Sequence, residues 1–476
     1  MQTGNSQKYF YRLALTTTLV MSVALLATTH RAAAQATTDA DSVIGFDQAI
    51  HLAVENNYAL KQAKNNLEGA NAQVKSAKAD FFPSVSASLS GSQRVGRQFD
   101  NIALSYVEQT SNSFSGNIGA QIQLFKGFEN IKQLRQAEAG EDFQQETMQR
   151  ARENVIFNAA SRYLQVLIDK ELLTIARENL EASERQMEQV QSQVEVGSRP
   201  KVDLYNQEST VASNELTVIQ RENQLKYDKT RLIRTLQLDP SQEYQFSSPE
   251  LDAGDVDATE YRLDKLTRQA LNNRSDLMAQ EHLIEQRKYG LELAKTSFYP
   301  TLSASAGIYT SYRDQYRGIA IENGQRVRET VGFSDQFFDQ LVTRSMGFDL
   351  NIPIFSQLNR STSVQQARID LKNAKLDLEN QKYGVQEEIR QAYNDYTSLA
   401  KELETTNKAL RAARKTYETQ QERYSVGSST LVELSQANAD YVQARANRVQ
   451  ALYNFIFQEK LLDYYLGKLD ESITLE

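Results

Sequence analysis

The residue types that carry catalysis or metal binding are scarce in this sequence. It contains no cysteine, which excludes both a disulfide framework and a thiol site. Beyond residue 34 only His51 and His282 remain, each within a helical pattern, so a metal centre or a histidine-based active site is poorly supplied. Paired carboxylates of the kind that glycosidases use are available, but nothing in the pattern predicts the pocket they need. We therefore expect no enzyme, no cofactor and no bound metal.

The acidic residues of most interest follow a turn that occurs twice. VGSRPKVDLYNQ begins at Val196, and its second version, VGSSTLVELSQA, begins at Val426. Glycine suits the left-handed residue that closes a helix, and an acid, Asp203 or Glu433, follows near the start of the next helix. If several copies of the chain assembled around one axis, their Glu433 side chains would repel one another and favour cations, as charged rings do in pores.

The same acid also has a purely structural interpretation. Thr430 with Glu433 three residues later predicts a capping box. In one interpretation Glu433 only caps its helix. In the other it caps the helix and also faces a lumen. In the first copy of the turn, Pro200 predicts an opening helical position.

The turn belongs to an internal duplication of the chain. AKADFFPSVSAS from Ala77 recurs as AKTSFYPTLSAS from Ala294, an offset of 217. From the second strand of each repeat onward, where Ile122 matches Ile352, the offset is 230, so 13 extra residues lie between 300 and 352. The predicted repeats are 35–238, with hairpin 82–125, long helix 128–195 and helix 200–238, and 263–466, with hairpin 299–355, long helix 360–425 and helix 431–466. A first helix, 47–80 or 263–296, opens each repeat. An acidic linker, 239–262, joins the repeats, and a tail, 467–476, follows.

The hairpins show period-2 alternation, as in Val85, Ala87 and Leu89 between serines. The pattern predicts four strands of about ten residues, the length of a tilted strand that crosses a bilayer. A soluble β-sandwich would alternate similarly, but no further strands are predicted to form its second sheet. Four strands cannot close a barrel, and lipid does not tolerate an open edge. Copies must therefore share one barrel, and a conducting pore favours the twelve strands of three copies over the eight of two.

Aromatic residues recur where strands meet helices in both repeats: Phe81, Phe82, Phe125, Phe298, Tyr299 and Phe355. This placement favours an interfacial girdle at the membrane surface. The alternative is that they cap a helix bundle.

The two long helices lack proline and would each be about 100 Å long at 1.5 Å per residue. Apolar residues repeat in them every seven positions, as in a coiled coil. One seam runs from Ala159 to Val194 and its counterpart from Ile389 to Tyr424. A soluble coiled-coil rod would show the same seam, so only the attached strands argue for a membrane protein.

The N-terminus predicts export. Lys8 and Arg12 precede an uncharged run, 13–27, and then small residues, which is the layout of a cleavable signal peptide over 1–34. A membrane anchor is the alternative, but the run is shorter than the roughly 20 residues that a spanning helix needs. Cleavage would leave 50 basic against 61 acidic side chains, a net charge of −11 that disfavours nucleic acid as a partner.

In this order of elements, and most specifically in YSVGSSTLVELSQANADY from Tyr424, the chain resembles the TolC-type outer membrane efflux proteins, the outer membrane factor family. The resemblance covers nearly the whole mature chain. It implies a mainly helical, duplicated homotrimer with a twelve-stranded barrel in the lipid of the cell outer membrane, continuing as an α-helical tunnel through the periplasm. It also implies two partners, a periplasmic adaptor and an inner-membrane pump.

The resemblance also implies roles for particular residues. Asp203 would hydrogen-bond Tyr424 to hold the periplasmic gate shut, and Glu433 and Gln436 would occupy the positions of a constricting acidic ring. The family often has arginine after the turn; Arg199 retains it, whereas Ser429 does not, and Gln436 replaces an acid. The expected adaptor contacts are the hairpin tips: Val196, Gly197, Ser198, Val426, Gly427 and Ser428.

The resulting hypothesis is a passive exit duct for a tripartite efflux or a type I secretion system. An exported trimeric coiled-coil structural protein or adhesin, without channel activity, is the alternative. The sequence is compatible with drugs, metals or polypeptides as substrates.

Overall fold

The structure, a computed structural model, describes residues 43–100, 104–247, 259–322 and 325–470. The predicted signal peptide, residues 248–258 of the acidic linker and the end of the tail lie outside these residues. The chain divides into two units. The smaller one includes Val43 and Gln242–Gln245. The larger one, Ile44–Ser241 with Phe246–Glu476, contains the features discussed below, except for one residue of each of two short strands.

The main helices form four pairs of equal length. They are α1 (Phe46–Asn56) and α5 (Leu263–Asn273) with 11 residues, α2 (Tyr58–Ala79) and α6 (Ser275–Thr296) with 22, α3 (Glu129–Glu195) and α8 (Asn359–Ser425) with 67, and α4 (Lys201–Thr235) and α9 (Leu431–Tyr465) with 35. Among the described helices, none is long and apolar enough to cross a membrane.

The first helix of each repeat is interrupted, so the predicted continuous helices 47–80 and 263–296 are wrong. The break is a single extended residue in each repeat, Asn57 and Arg274, which occupy equivalent positions of the duplication. The Asn57 side chain accepts hydrogen bonds from the backbone N–H groups of Ala59 and Leu60. An N-cap of this kind stabilises a new helix start in the middle of a helical pattern.

Four antiparallel strands form the main sheet, in the order β2 (Ser84–Asp100), β3 (Ser105–Lys126), β5 (Thr301–Arg313) and β8 (Thr343–Asn351). They have 17, 22, 13 and 9 residues, so the prediction of about ten residues each was wrong for the first hairpin. The polar alternation simply continues outward there, paired from Gln93 opposite Asn112 to Asp100 opposite Ser105.

The prediction that the chain has no further strands was also wrong. The short strand β1 (Val43–Ile44) precedes α1, and the short strand β4 (Gln245–Phe246) lies in the linker. The 13 surplus residues allow a second hairpin, β6 (Arg317–Glu322) with β7 (Gln325–Thr330), followed by α7 (Phe333–Asp335) and a π-helical turn, Gln336–Gln340. None of these strands joins the main sheet.

The two faces of the main sheet differ in polarity. One row across it consists of Val85, Ala120, Ala306 and Met346, each directly opposite the next. Rows on the other face are polar, and there the Ser90 and Ser115 hydroxyls lie 2.7 Å apart. The large apolar residues of the first face are mostly exposed. Among the described strands, none lies beside the outer edges of β2 and β8.

The chain turns from strand to long helix through left-handed residues in both repeats. Phe128 (φ 63°) precedes α3, and its equivalent Leu358 (φ 66°) precedes α8. At Gly127 (φ 60°) an added Cβ would lie 2.7 Å from Cβ of Tyr299. Only glycine fits this position, because both the backbone and the neighbouring side chain exclude a larger residue.

The predicted seams supply much of the buried core. Ala159, Val166 and Leu173 are buried in α3, as are Ile389, Tyr396 and Leu403 in α8. The largest fully buried side chain is Tyr163, whose ring packs edge-on against Phe46 and Phe246. Its hydroxyl can donate to the backbone oxygen of Ser247, 2.7 Å away, or of Ile44. This cluster holds the start of α1 and the end of β4 against the middle of α3.

Candidate gate at the helical hairpin tips

Both helical hairpins end in the same hydrogen-bonded turn. After α3, Gly197 (φ 79°) donates to Val194 O and Ser198 donates to Gln193 O. After α8, Gly427 (φ 76°) and Ser428 make the equivalent bonds to Tyr424 O and Arg423 O. This is the Schellman arrangement, which satisfies the last helical carbonyls. The predicted glycine turns are therefore confirmed.

The turns expose an apolar side chain at each tip. Val196 and Val426 are 79% and 78% exposed. The glycines beside them have no atom within 4 Å of an added Cβ, so conformation alone requires glycine there. The two predicted adaptor-contact tips thus present similar small apolar surfaces, with Ser198 and Ser428 bonded back to their own helices.

The helices that follow begin differently. Thr430 and Glu433 form the predicted capping box: Glu433 N–H donates to Thr430 Oγ1 (3.2 Å), and Thr430 N–H donates to Glu433 Oε2 (2.9 Å). Pro200 is the N-cap with extended backbone (ψ 147°), one residue before the predicted helical position. That prediction was wrong by one residue, because the extended backbone lets the chain leave the glycine turn before α4 begins.

A small core joins the two hairpins near their tips. Val190 of α3 packs with Tyr424 of α8 and with Leu431 and Leu434 of α9. Leu204 of α4 covers this cluster. This core therefore packs the two hairpins against each other near their tips.

Tyr424 is buried at the centre of the group. The guanidinium carbon of Arg199 lies 4.6 Å from its ring centre, and Arg199 Nη1 lies 3.5 Å from Asp203 Oδ2. The Tyr424 hydroxyl accepts a hydrogen bond from Gln186 Nε2 at 3.4 Å. Burial raises the pKa of Tyr424, while the Arg199 cation lowers it and the Asp203 carboxylate raises it.

The expected direct hydrogen bond from Tyr424 to Asp203 was therefore wrong. Arg199 bridges the two residues instead. Its planar cation covers the Tyr424 ring and pairs with the Asp203 carboxylate. Gln186, on the same side of the core, was missed from the sequence. It carries no motif, and only the packing of α3 against α8 reveals it.

The start of α9 carries a polar stripe that contains Asp440 in addition to the predicted Glu433 and Gln436. Glu433 is exposed, and the Thr430 backbone N–H keeps the pKa of this carboxyl below its usual range. Ser429, which stands where the family often has arginine, donates to the same carboxylate at 2.8 Å. Gln436 donates to Asp440 Oδ1 at 2.9 Å. Asp440 lies two helical turns beyond Glu433, a spacing that could have identified it.

The predicted girdle residues lie at the other end of the long helices. Phe81, Phe82, Phe298, Tyr299 and Phe355 are exposed, whereas Phe125 is half-buried. Phe125 packs edge-on against Phe128, with ring centres 5.5 Å apart. Among the residues that the structure describes, no three His, Asp or Glu side chains lie close enough to bind a metal.

Comparison with known proteins identifies the family. Residues 49–236 and 266–468 match the family model described as outer membrane efflux protein. The cation efflux system protein CusC of Escherichia coli O157:H7 is 26% identical over 275 residues, 55% of this chain and 55% of that protein. The toluene efflux pump outer membrane protein TtgC of Pseudomonas putida is 24% identical over 264 residues, 55% of this chain and 53% of that protein. The match thus spans about half the length of these curated relatives.

The fold of one chain agrees with solved structures. A crystal structure of CusC superposes with a TM-score of 0.74 at 18% identity, covering 89% of this chain and 92% of that chain. The Campylobacter jejuni CmeC outer membrane channel gives 0.73 at 18% identity, covering 90% and 87%. These likenesses confirm the predicted fold class, a mainly helical chain with a strand sheet and two long helices. The chain belongs to the outer membrane efflux protein family.

Proposed function

We propose that this protein is the outer-membrane exit duct of an efflux system, through which solutes pass without chemical change. The observation that supports this most strongly is the main sheet. It has an exposed apolar face, a face of serine, glycine, asparagine and glutamine, and two open edges. Lipid would cover the first face, water would fill the space beside the second, and neighbouring copies would close the edges.

Three copies would give twelve strands and a water-filled lumen, as the sequence analysis expects. The 67-residue helices would continue that lumen into the periplasm for about 100 Å. At their far end the packed group around Tyr424 would form the gate, and the stripe from Glu433 to Asp440 would line it.

Small solutes are the substrates we propose. Relatives are named for cation efflux, toluene efflux and pyoverdine export. These names support efflux of small molecules or ions over secretion of polypeptides. A periplasmic adaptor and an inner-membrane pump would be the partners, and the exposed tips at Val196 and Val426 would receive the adaptor.

Planar-bilayer recording of the purified protein tests this function. An exit duct gives discrete conductance steps, mostly closed at rest because the gate is packed. The adhesin alternative gives none at any protein concentration. Absence of conductance from correctly folded, bilayer-inserted protein would therefore exclude the duct.

The adaptor contact has a separate test. Val196→Asp with Val426→Asp should abolish export in cells while leaving bilayer conductance intact, because both side chains are exposed and contribute no core packing. The matched control is Val202→Asp, which changes another exposed valine. Normal export by the double variant would exclude these tips as the contact.

A further inference from the structure

One segment between β7 and β8 folds back onto the main sheet. This aromatic segment, Phe333–Gln340, consists of α7 and the π-helical turn. The Gln336 side chain is fully buried, accepts a hydrogen bond from the backbone N–H of Arg313 at 3.0 Å and donates to the carbonyl oxygen of the same residue at 3.1 Å. The Thr310 hydroxyl donates to the carbonyl oxygen of Phe337. These bonds fix the aromatic segment to β5.

The ring of Phe337 lies on the apolar face of the sheet. Its centre is 5.4 Å from the ring centre of Phe114, and a Cβ added at Gly116 would lie 2.9 Å from its Cζ atom. Gly116 is directly opposite Leu89, which alternation places on the same face as Val85. Glycine at position 116 therefore leaves the space that the Phe337 ring fills.

Two further rings of the aromatic segment remain uncovered. Phe333 stacks on Phe337 with ring centres 5.1 Å apart, and Phe338 packs edge-on against Phe337 at 5.2 Å. Phe333 and Phe338 are nevertheless 44% and 70% exposed. Asp335 and Asp339 are exposed in the same short stretch. A segment that presents both aromatic and charged surface suits a lipid–water boundary, where each finds its preferred solvent.

An arginine on the apolar face marks the level of this boundary along the strands. Arg344 is exposed and lies directly opposite Ile308. An arginine on a lipid-facing surface costs much less at the interface than at the middle of the bilayer. Gly116 and Thr310, which meet Phe337, form the next row of the same face, farther from the helices. The aromatic segment therefore begins where the purely apolar rows end.

The distance to the opposite aromatic residues matches a membrane. Thr310 comes eleven residues after Tyr299, one of the predicted girdle residues at the strand–helix junctions. At about 3.3 Å per residue and a tilt of about 40°, this stretch spans about 28 Å of membrane thickness. The apolar band of an outer-membrane barrel is about 25 Å tall. Aromatic rings thus lie at both ends of a band of the expected height.

We propose that Phe333 and Phe338 anchor the barrel at its outer lipid–water boundary, and that lipid covers these two rings. This inference rests on the proposed function, which places the main sheet in the membrane. The exposed apolar face continues without interruption into the aromatic segment, so the same solvent meets both. Only the second repeat can carry such an anchor between its strands, because four residues connect β2 to β3.

Tryptophan fluorescence tests the anchor, since the native chain contains no tryptophan. Phe338→Trp is reconstituted in phosphatidylcholine vesicles whose acyl chains carry bromine either near the headgroup or near the chain end. Bromine quenches tryptophan only at short range, so the two lipids report depth. We expect the larger loss of emission with bromine near the headgroup, the level at which aromatic belts lie. Phe333→Trp provides a second site if the first variant does not insert.

Two further variants calibrate the depth. Phe348→Trp, the same chemical change on β8, lies opposite Ala304 within the apolar rows and is 77% exposed. It should lose more emission with bromine near the chain end. Tyr205→Trp lies near the start of α4, beside the hairpin tip, and is 62% exposed. It should lose none with either lipid.

The outcomes separate this inference from the proposed function. If Phe348→Trp is quenched but Phe338→Trp and Phe333→Trp are quenched by neither lipid, water or another copy surrounds the rings, and the anchor alone is overturned. Stronger quenching of Phe338→Trp by bromine near the chain end also overturns it. If Phe348→Trp is quenched by neither lipid, both the anchor and the membrane position of the sheet are overturned. Stronger quenching of Phe338→Trp by bromine near the headgroup supports the anchor.

Discussion

Arg199 of the first hairpin covers the ring of Tyr424 of the second, with 4.6 Å between the guanidinium carbon and the ring centre. The contact joins the residue before the N-cap of α4 to the last turn of α8. It therefore couples the two hairpins at the point where the proposed gate must separate them.

Replacing Arg199 should loosen the gate. A cation–π contact at a partly exposed site contributes about 0.5–1 kcal/mol, so Arg199→Ala should raise the open-to-closed ratio about 2- to 5-fold for each copy that must move. Single-channel recording measures the ratio. Tyr424→Phe, which keeps the ring and removes only the long bond to Gln186, should change it less.

Arg185→Ala is the matched control for that change. Arg185 forms an exposed pair with Glu181 on α3 and, unlike Arg199, does not cover the Tyr424 ring. If the Arg199 and Arg185 variants gate alike, the cation over the ring does not hold the gate.

Neutralising Glu433 should reduce cation selectivity. Hydrogen bonds keep the pKa of Glu433 low, so the group stays charged at neutral pH and its replacement removes a charge from the proposed lumen. Glu433→Gln retains a side-chain oxygen for the capping box, which limits structural damage. The reversal potential in a salt gradient should shift toward that of an unselective pore, by more than for the exposed control Glu418→Gln. An unchanged reversal potential would place Glu433 outside the conduction path.

Asp169 and Asp228 form a buried carboxyl pair between α3 and α4, each 4% exposed. Burial and then Asp228 raise the pKa of Asp169 to about 6. Gln165 donates to one Asp169 oxygen, whereas Oδ2 has no hydrogen-bond partner among the described residues. The pair therefore favours a protonated Asp169.

The sign of the pH effect follows from that raised pKa. The folded protein holds a proton that the unfolded chain loses near pH 4, so this contribution to stability is full below pH 4 and is lost as the pH rises to about 6. Asp169→Asn cannot ionise and should therefore not lose this stability as the pH rises. At pH 7.5 we expect it to be more stable than wild type by about 1–3 kcal/mol. Thermal unfolding at several pH values measures this, with the exposed Glu184→Gln as control. A variant less stable than wild type at pH 7.5 would contradict the assignment.

Arg274 should be a sensitive position for stability. It is 3% exposed, and its guanidinium lies 2.7 Å from Asp276 Oδ2 and 2.6 Å from Glu388 Oε2. Burial alone would lower the pKa of Arg274, but these two carboxylates raise it. Arg274→Met leaves Asp276, which is partly exposed, without its main partner, and we expect the loss of these charged hydrogen bonds to cost about 1.5–3 kcal/mol.

Arg268→Met is the control for that loss. Arg268 pairs with Asp264 at the surface of α5, where an ion pair contributes about 0–1 kcal/mol. Equal unfolding temperatures for the two variants would show that the Arg274 network adds nothing to the junction between α5, α6 and α8.

The sequence by itself determined the elements that depend on local chemistry. Seven-residue seams and the absence of proline placed the long helices within one residue of their ends, and the glycines and Thr430 determined the turns and the capping box. Period-2 alternation located the hairpins, because alternating apolar and polar residues identify the two faces of a strand without knowledge of its partner strands. The repeat offsets also follow from sequence alone.

Only the tertiary structure decided which residues meet. Asn57 and Arg274 break helices whose pattern is continuous, because a cap or a buried ion pair outweighs periodicity at one residue. The partners of Tyr424 are Arg199 and Gln186 rather than Asp203. Likewise, Asp169 of α3 interacts with Asp228 of α4. Such contacts depend on the relative rotation and height of packed helices, which side-chain packing sets and no local pattern encodes.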